Sequence, residues 1–266
     1  MKALIMTPIL ILIVVYLAFI ILLYLNQNKY VFFPPDPSQI DLSLLAKLQI
    51  VEIKTADQLN LKAYYVAPKN GKPLLVEFHG NASHPAWEIG KFGTLLAEGY
   101  GLLLAEYRGY GGNPGMPSEE NFYIDGQAYY DWAAKEHDKV ILYGASIGSG
   151  VAVDVAAKNP VAALILEVPF DKLSDVAAWH YPYIPFLEKL MKNKFDNADK
   201  IKSVHAPVLF LLAGQDRIVP VQFGENLAAA ANDPKRIQKF QSANHINVYE
   251  FNAEKTVYDF LKEQLK

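Results

Sequence analysis

Five short apolar runs punctuate the chain: PLLVEF at Pro73–Phe78, GLLLAEY at Gly101–Tyr107, KVILYG at Lys139–Gly144, AALILEV at Ala162–Val168 and PVLFLLAG at Pro207–Gly214. Each is continuous rather than alternating, the pattern of strands buried on both faces. Between them lie AWEIGKFGTLLAEG, SEENFYIDGQAYYDWAAKEH and the run after Ser146, all of helical length. The second follows Pro117, with Ser118 suited to a helix cap and Glu119 and Glu120 suited to a helix N-terminus. Strands alternating with helices predict a mostly parallel, doubly wound α/β sheet. Ahead of them, LQIVEIKTADQLNLKAYYVAP alternates with period two on either side of Asp57 and Gln58, which predicts a hairpin at an antiparallel edge of that sheet.

Two stretches break this rhythm. Residues 3–28 contain no charged side chain, and Ala3–Leu25 would span roughly 34 Å as a helix, enough to cross a bilayer. YLNQNKYVFF follows with no small-x-small cleavage site, so an uncleaved anchor is expected over residues 1–28. FFPPDP then predicts a stiff, extended linker over residues 29–40 that holds the domain off the membrane surface. The remaining residues, 41–266, suit one α/β domain. Within it, the aromatic-rich interval at about 170–203, containing WHYPYIPFLEKLMKNKF, replaces a plain crossover helix and reads as a lid.

Composition narrows the field further. The chain is 52% hydrophobic and 20% charged, outside the disordered class. It has no cysteine, hence neither a disulfide framework nor a zinc-thiolate site. A net charge of −3 without a long basic run gives no reason to invoke nucleic acid. The charge balance around the anchor sets Lys2 and the α-amino group against Lys29, Asp36 and Asp41, which favours a folded domain on the non-cytoplasmic side.

Parallel strands deliver their carboxyl ends to one edge of a sheet, and the chemistry-bearing residues follow those ends. His79 and Asn81 come after VEF, Arg108 after LLAEY, Ser146 after VILYG, Asp216 after LFLLAG and His245 after IQKFQSA. Gly144-Ala145-Ser146-Ile147-Gly148 is a G-x-S-x-G motif between a strand and a helix, a strained turn that lifts a serine hydroxyl into a cleft. A serine needs a base to take its proton and a carboxylate to orient that base, in the chain order Ser, acid, His. Of the histidines after Ser146, His180 falls in the lid and His205 at the wrong end of a strand, leaving His245 in a polar loop before a terminal helix. Asp216 is the favoured acid and Asp171, which also leaves a strand's carboxyl end, is its rival. An oxyanion would be held by the backbone amides of Ile147 and Asn81. His79 reads as a structural hydrogen-bonding residue, and YRGYGGNPG as a tight turn in which Arg108 anchors neighbouring loops, since it lacks the lysine and spacing of a phosphate loop.

FFPP, FHGNAS, EYRGYGGNPGMPSE, GASIGSG, AGQDRIVP and NHINVY, in this order over residues 28–266, resemble the α/β-hydrolase-fold serine hydrolases, and within them the membrane-anchored group that includes eukaryotic protein depalmitoylases and bacterial relatives. The resemblance implies Ser146 as nucleophile, Asp216 as charge-stabilising acid, His245 as base and an oxyanion hole around Asn81 and Ile147, with no metal or cofactor. It departs from the family at Glu106, where aspartate is expected, and at the SHPAW continuation of the HGNA loop. The cysteine-rich targeting feature of depalmitoylases is absent, which argues against that substrate. Hydrolysis of acyl or lipid-like esters through an acyl-enzyme is the expected activity. Peptidase or amidase action on the same triad, and a membrane-tethered binding protein without catalysis, stand as the alternatives.

Overall fold

A computed structural model describes residues 2–265. The α-amino group of Met1, counted above in the charge balance, and Lys266 lie outside the described residues. Strands β1 (Gln49–Lys54), β2 (Asn60–Val66), β3 (Leu74–Phe78), β4 (Gly101–Ala105), β5 (Val140–Ala145), β6 (Ala163–Glu167), β7 (Val208–Ala213) and β8 (Lys235–Phe240) form one sheet. Its order is β1-β2-β4-β3-β5-β6-β7-β8. β1 and β2 make the expected antiparallel hairpin, and β2 joins β4 antiparallel. The other pairings are all parallel. β3 to β7 are buried along their whole length, whereas β1 and β8 carry exposed positions as edges do.

The sheet separates two apolar layers. One packs Phe78, Leu103, Leu142, Leu166 and Phe210 against Phe122, Val151 and Leu227 of the helices Glu119–Glu136, Ile147–Lys158 and Val221–Ala230. The other packs Leu75, Tyr143, Ile165 and Leu211 against Phe92 and against Val257 and Phe260 of the Ala253–Gln264 helix. Ser118 caps the Glu119–Glu136 helix by accepting from the Asn121 amide at 3.2 Å. The stretch AWEIGKFGTLLAEG, in contrast, is broken into the short turns Pro85–Glu88, Ile89–Phe92 and Gly93–Ala97. Gly90 and Gly93 weaken its helical propensity, and the Thr94 amide donates to Glu254 of the C-terminal helix at 2.6 Å. Arg108 does anchor its surroundings. Its guanidinium bonds Asp57 in the β1–β2 turn at 2.7 and 3.0 Å and Asp125 at 2.6 and 2.8 Å. Those bonds hold the Asp57 carboxyl down at about 2.

The N-terminal helix runs Lys2–Val31, three residues past the expected edge of the anchor at Asn28. Within it Pro8–Val31 is long and apolar enough to cross a membrane. Its last turns persist because they are docked. Gln27 bonds Leu190 O and the Lys192 amide, and Asn28 bonds Pro117 O and Asn193. The linker is docked at its start, while Phe33, Pro34 and residues 36–39 are exposed. Phe32 is buried against Phe122 and Phe195. Between β6 and β7 the lid interval folds as the helices Leu173–His180, Leu187–Leu190 and Asn197–Lys200, a cap that leans on the N-terminal helix.

Candidate active site

β5 ends at Ala145, and Ser146 turns the chain at φ 51° and ψ −118° before the Ile147–Lys158 helix begins. Positive φ is costly for a residue with a side chain, so the flanking structure has to enforce it. Part of that enforcement is the 2.9 Å bond from the Ser146 amide to Glu167 O at the end of β6. The glycines of the motif allow the closeness. A Cβ on Gly144 would lie 2.5 Å from Gly148 O, and one on Gly148 would lie 2.0 Å from Phe78 O. The helix therefore starts against the ends of both β3 and β5, with Ser146 at the apex.

Across the apex stands His245. Its Nε2 is 3.1 Å from Ser146 Oγ and its Nδ1 is 2.7 Å from Asp216 Oδ2. A carboxylate at Nδ1 fixes the tautomer in which Nδ1 donates and Nε2 is free to accept a hydroxyl proton. The second oxygen of Asp216 accepts from the amides of Ile218 and Val219, each at 2.8 Å, so the acid cannot swing away. The rival Asp171 is occupied elsewhere: it accepts from the Lys172 amide and from Asn226 at the base of the cap. His180 lies in the cap, 2.8 Å from Ile218 O, and His205 is exposed ahead of β7.

The loop after β3 passes close to the serine. A Cβ on Gly80 would sit 3.6 Å from Ser146 Cβ. Among the described residues, neither the Asn81 nor the Ile147 backbone amide donates to another group. The Asn81 side chain points to the linker instead, donating to Val31 O at 2.6 Å and accepting from the Phe33 amide at 3.0 Å and the Tyr110 hydroxyl at 2.8 Å. His79 has both ring nitrogens on acceptors, Gly80 O at 2.8 Å and Glu106 Oε1 at 3.0 Å. Burial opposes the charged ring, but the charge and hydrogen bond of Glu106 outweigh it and raise His79 to about 9. With no free lone pair, His79 braces the loop and cannot serve as a base. The two departures from the family pattern meet each other: His84, in SHPAW, has Nε2 3.1 Å from Glu106 Oε2. Its Nδ1 accepts from the Ala86 amide, and burial lowers its pKa.

Sequence reasoning missed a buried polar cluster beneath the loop. Lys91 Nζ lies 2.6 Å from Glu88 and 2.7 Å from Glu167, whose carboxylate also accepts from Tyr143 OH at 2.6 Å. Ser83 bonds Glu88. Glu77 is fully buried, and neither of its oxygens has a hydrogen-bond partner among the described residues. Burial, then the charge of Glu88, raises its pKa well above the usual carboxylate range. The available signal was one glutamate inside each of two otherwise apolar strands, LLVEF and ALILE.

No family model matches the sequence. The chain is 36% identical over 235 residues to the uncharacterized protein Rv2307c of Mycobacterium tuberculosis, covering 85% of this chain and 83% of that one. It is 30% identical over 199 residues to the lysophosphatidylserine lipase ABHD12 of Macaca fascicularis, a match that takes in 67% of this chain and half, 50%, of the lipase. The esterase Pf2001 of Pyrococcus furiosus superposes with a TM-score of 0.71 at 19% identity, over 88% of this chain and 97% of the esterase. Sequence likeness through more than four fifths of Rv2307c makes this chain a member of that protein's family, and superposition on Pf2001 and, with a TM-score of 0.64, on the α/β hydrolase GrgF of Penicillium shows that it has the α/β-hydrolase fold.

Proposed function

We propose that the chain is a membrane-anchored serine hydrolase that cleaves acyl esters through an acyl-enzyme. His245 Nε2 takes the Ser146 proton as Oγ attacks the ester carbonyl, and Asp216 stabilises the imidazolium that forms. The negative oxygen of the tetrahedral intermediate is received by the Ile147 and Asn81 amides, the first at a helix N-terminus whose dipole favours charge there. Collapse passes the proton from His245 to the leaving alcohol. Water then enters, gives its proton to His245 and attacks the acyl carbonyl, and release of the acid restores Ser146.

The observation that carries this reading is His245 bonded on one side to Ser146 and on the other to Asp216. The lipase named among its sequence relatives favours an ester over an amide. A lipid-like ester fits the setting. Phe33, Ile218 and Ile246, in or beside the segments that carry Asn81, Asp216 and His245, are exposed apolar residues. The chain is read as an anchor, a short connector and a hydrolase domain with its cap, the domain lying on the non-cytoplasmic side. The test is labelling by a fluorophosphonate probe. Labelling of the intact protein, lost in Ser146→Ala, supports the reading, and labelling that survives the substitution defeats it.

A further inference from the structure

The cap does not only cover the domain; it also runs back along the anchor helix. Tyr16 OH donates to Tyr183 O at 3.1 Å, and Lys192 sits over the Tyr24 ring at 4.4 Å. Tyr16 lies nine residues before Leu25, where the apolar stretch ends, so that contact falls about 13 Å along the membrane-spanning segment. Tyr183 is exposed, as are its cap neighbours Trp179, Tyr181 and Phe186, an aromatic surface suited to lipid contact. Between helix and cap runs a groove of about 290 Å³, lined by Phe19, Leu23 and Tyr30 on one wall and Ala177, Ile184 and Leu187 on the other.

Both walls are tied to the reacting groups. The helix wall ends at Val31, whose carbonyl holds the Asn81 side chain, and Asn81 follows the glycine that packs against Ser146. On the cap side, Ala177 lies one turn before His180, which bonds Ile218 O, and the Ile218 amide bonds Asp216. Ser146, Asp216 and His245 do not line the groove itself, but it runs from the membrane-spanning part of the helix to Val31, one hydrogen bond from Asn81, and so leads toward the loop beside the serine. Its walls offer little to hydrogen-bond, which suits a saturated tail and no polar ligand.

We propose that the groove between the anchor helix and the cap is the acyl-chain channel of the Ser146 site, filled sideways from the bilayer by the tail of a membrane-resident single-chain ester. This rests on the ester-hydrolase reading. It adds that the anchor helix is a wall of the substrate site as well as a tether.

The test uses the full chain in phosphatidylcholine nanodiscs. A lysophosphatidylcholine carrying a diazirine at the end of its acyl chain is photolysed with the unaltered protein, and the labelled peptides are mapped. Label within 19–31 and 177–191 that excess unmodified lysophosphatidylcholine competes away supports the channel. Label elsewhere, or label there that is not competed, which indicates contact with bulk lipid only, overturns it. In parallel, Leu23→Trp and Leu187→Trp fill the groove, and kcat/KM is measured for palmitoyl and butyryl p-nitrophenyl esters. The long-to-short ratio is expected to fall at least about tenfold; a ratio within about twofold of the unaltered protein overturns the proposal. Failure of the underlying reading looks different: the unaltered protein turns over neither ester, whatever the diazirine maps.

Discussion

The hydroxyl, imidazole and carboxylate of the site are separable in their expected costs. Ser146→Ala removes the attacking oxygen, and kcat on a p-nitrophenyl ester is expected to fall on the order of 10⁶-fold. Asp216→Asn keeps the shape but offers His245 Nδ1 an amide in place of a carboxylate. The ring then loses its fixed tautomer, and kcat is expected to fall about 10⁴-fold. Stopped assays with matched active-site titration check both, and an Asp216→Asn enzyme within tenfold of the parent would remove Asp216 from the site. That these three side chains meet was legible in the sequence, because strand runs reveal where carboxyl ends lie and chain order then leaves few candidates. The destination of the Asn81 side chain was not. Its partners Val31, Phe33 and Tyr110 lie 29 to 50 residues away, brought near by the docked start of the linker and by the loop after β4. Glu77 shows the same limit, since one carboxyl in an apolar strand does not reveal whether it will find a partner.

At the scale of elements, the loop from His79 to Phe92 is held by ionisable groups rather than by a regular helix, and its stability carries a pH signature. His79 has a folded pKa raised from 6.5 to about 9, so its contribution is complete below 6.5 and fades as pH climbs through 9. Glu77 has its folded pKa raised well above the unfolded 4.5 by burial, so it too lowers stability as pH rises past that value. Both slopes have the same sign. Glu77→Gln removes one of them, and the variant is expected to lose less stability than the parent between pH 5 and 8, read from urea midpoints at each pH. Parallel curves would show that Glu77 is not protonated in the fold. The pairing of Glu106 with His84 makes a second prediction here. A double-mutant cycle on Glu106→Gln and His84→Ala is expected to show a coupling of about 0.5–3 kcal/mol, and additive effects would disprove the contact. Strands were read with greater success than this loop because burial on two faces writes a continuous apolar run. A loop fixed by Lys91 against two carboxylates writes only scattered charges.

For the whole molecule, the question is which side of the membrane the sheet and its cap occupy. The alternation of strands and helices made the α/β core readable, and the apolar run made the helix readable. Their mutual docking was not readable, since it depends on Gln27 and Asn28 meeting a cap 165 residues later. Docking of that kind constrains topology. With the cap fixed along the last turns of the helix, the domain goes with the side where Val31 emerges, and the proposal that this side faces away from the cytoplasm rests on the charge rule, which favours Lys2 inside. The absence of cysteine makes a clean measurement possible. Lys135 is exposed near the end of the Glu119–Glu136 helix, so Lys135→Cys provides a single thiol on the domain. A membrane-impermeant maleimide applied to intact spheroplasts is expected to label it as fully as in lysed ones. Labelling that appears only after lysis reverses the topology, and would mean that the ester is drawn from the inner leaflet, since the groove follows the cap to whichever surface the domain occupies.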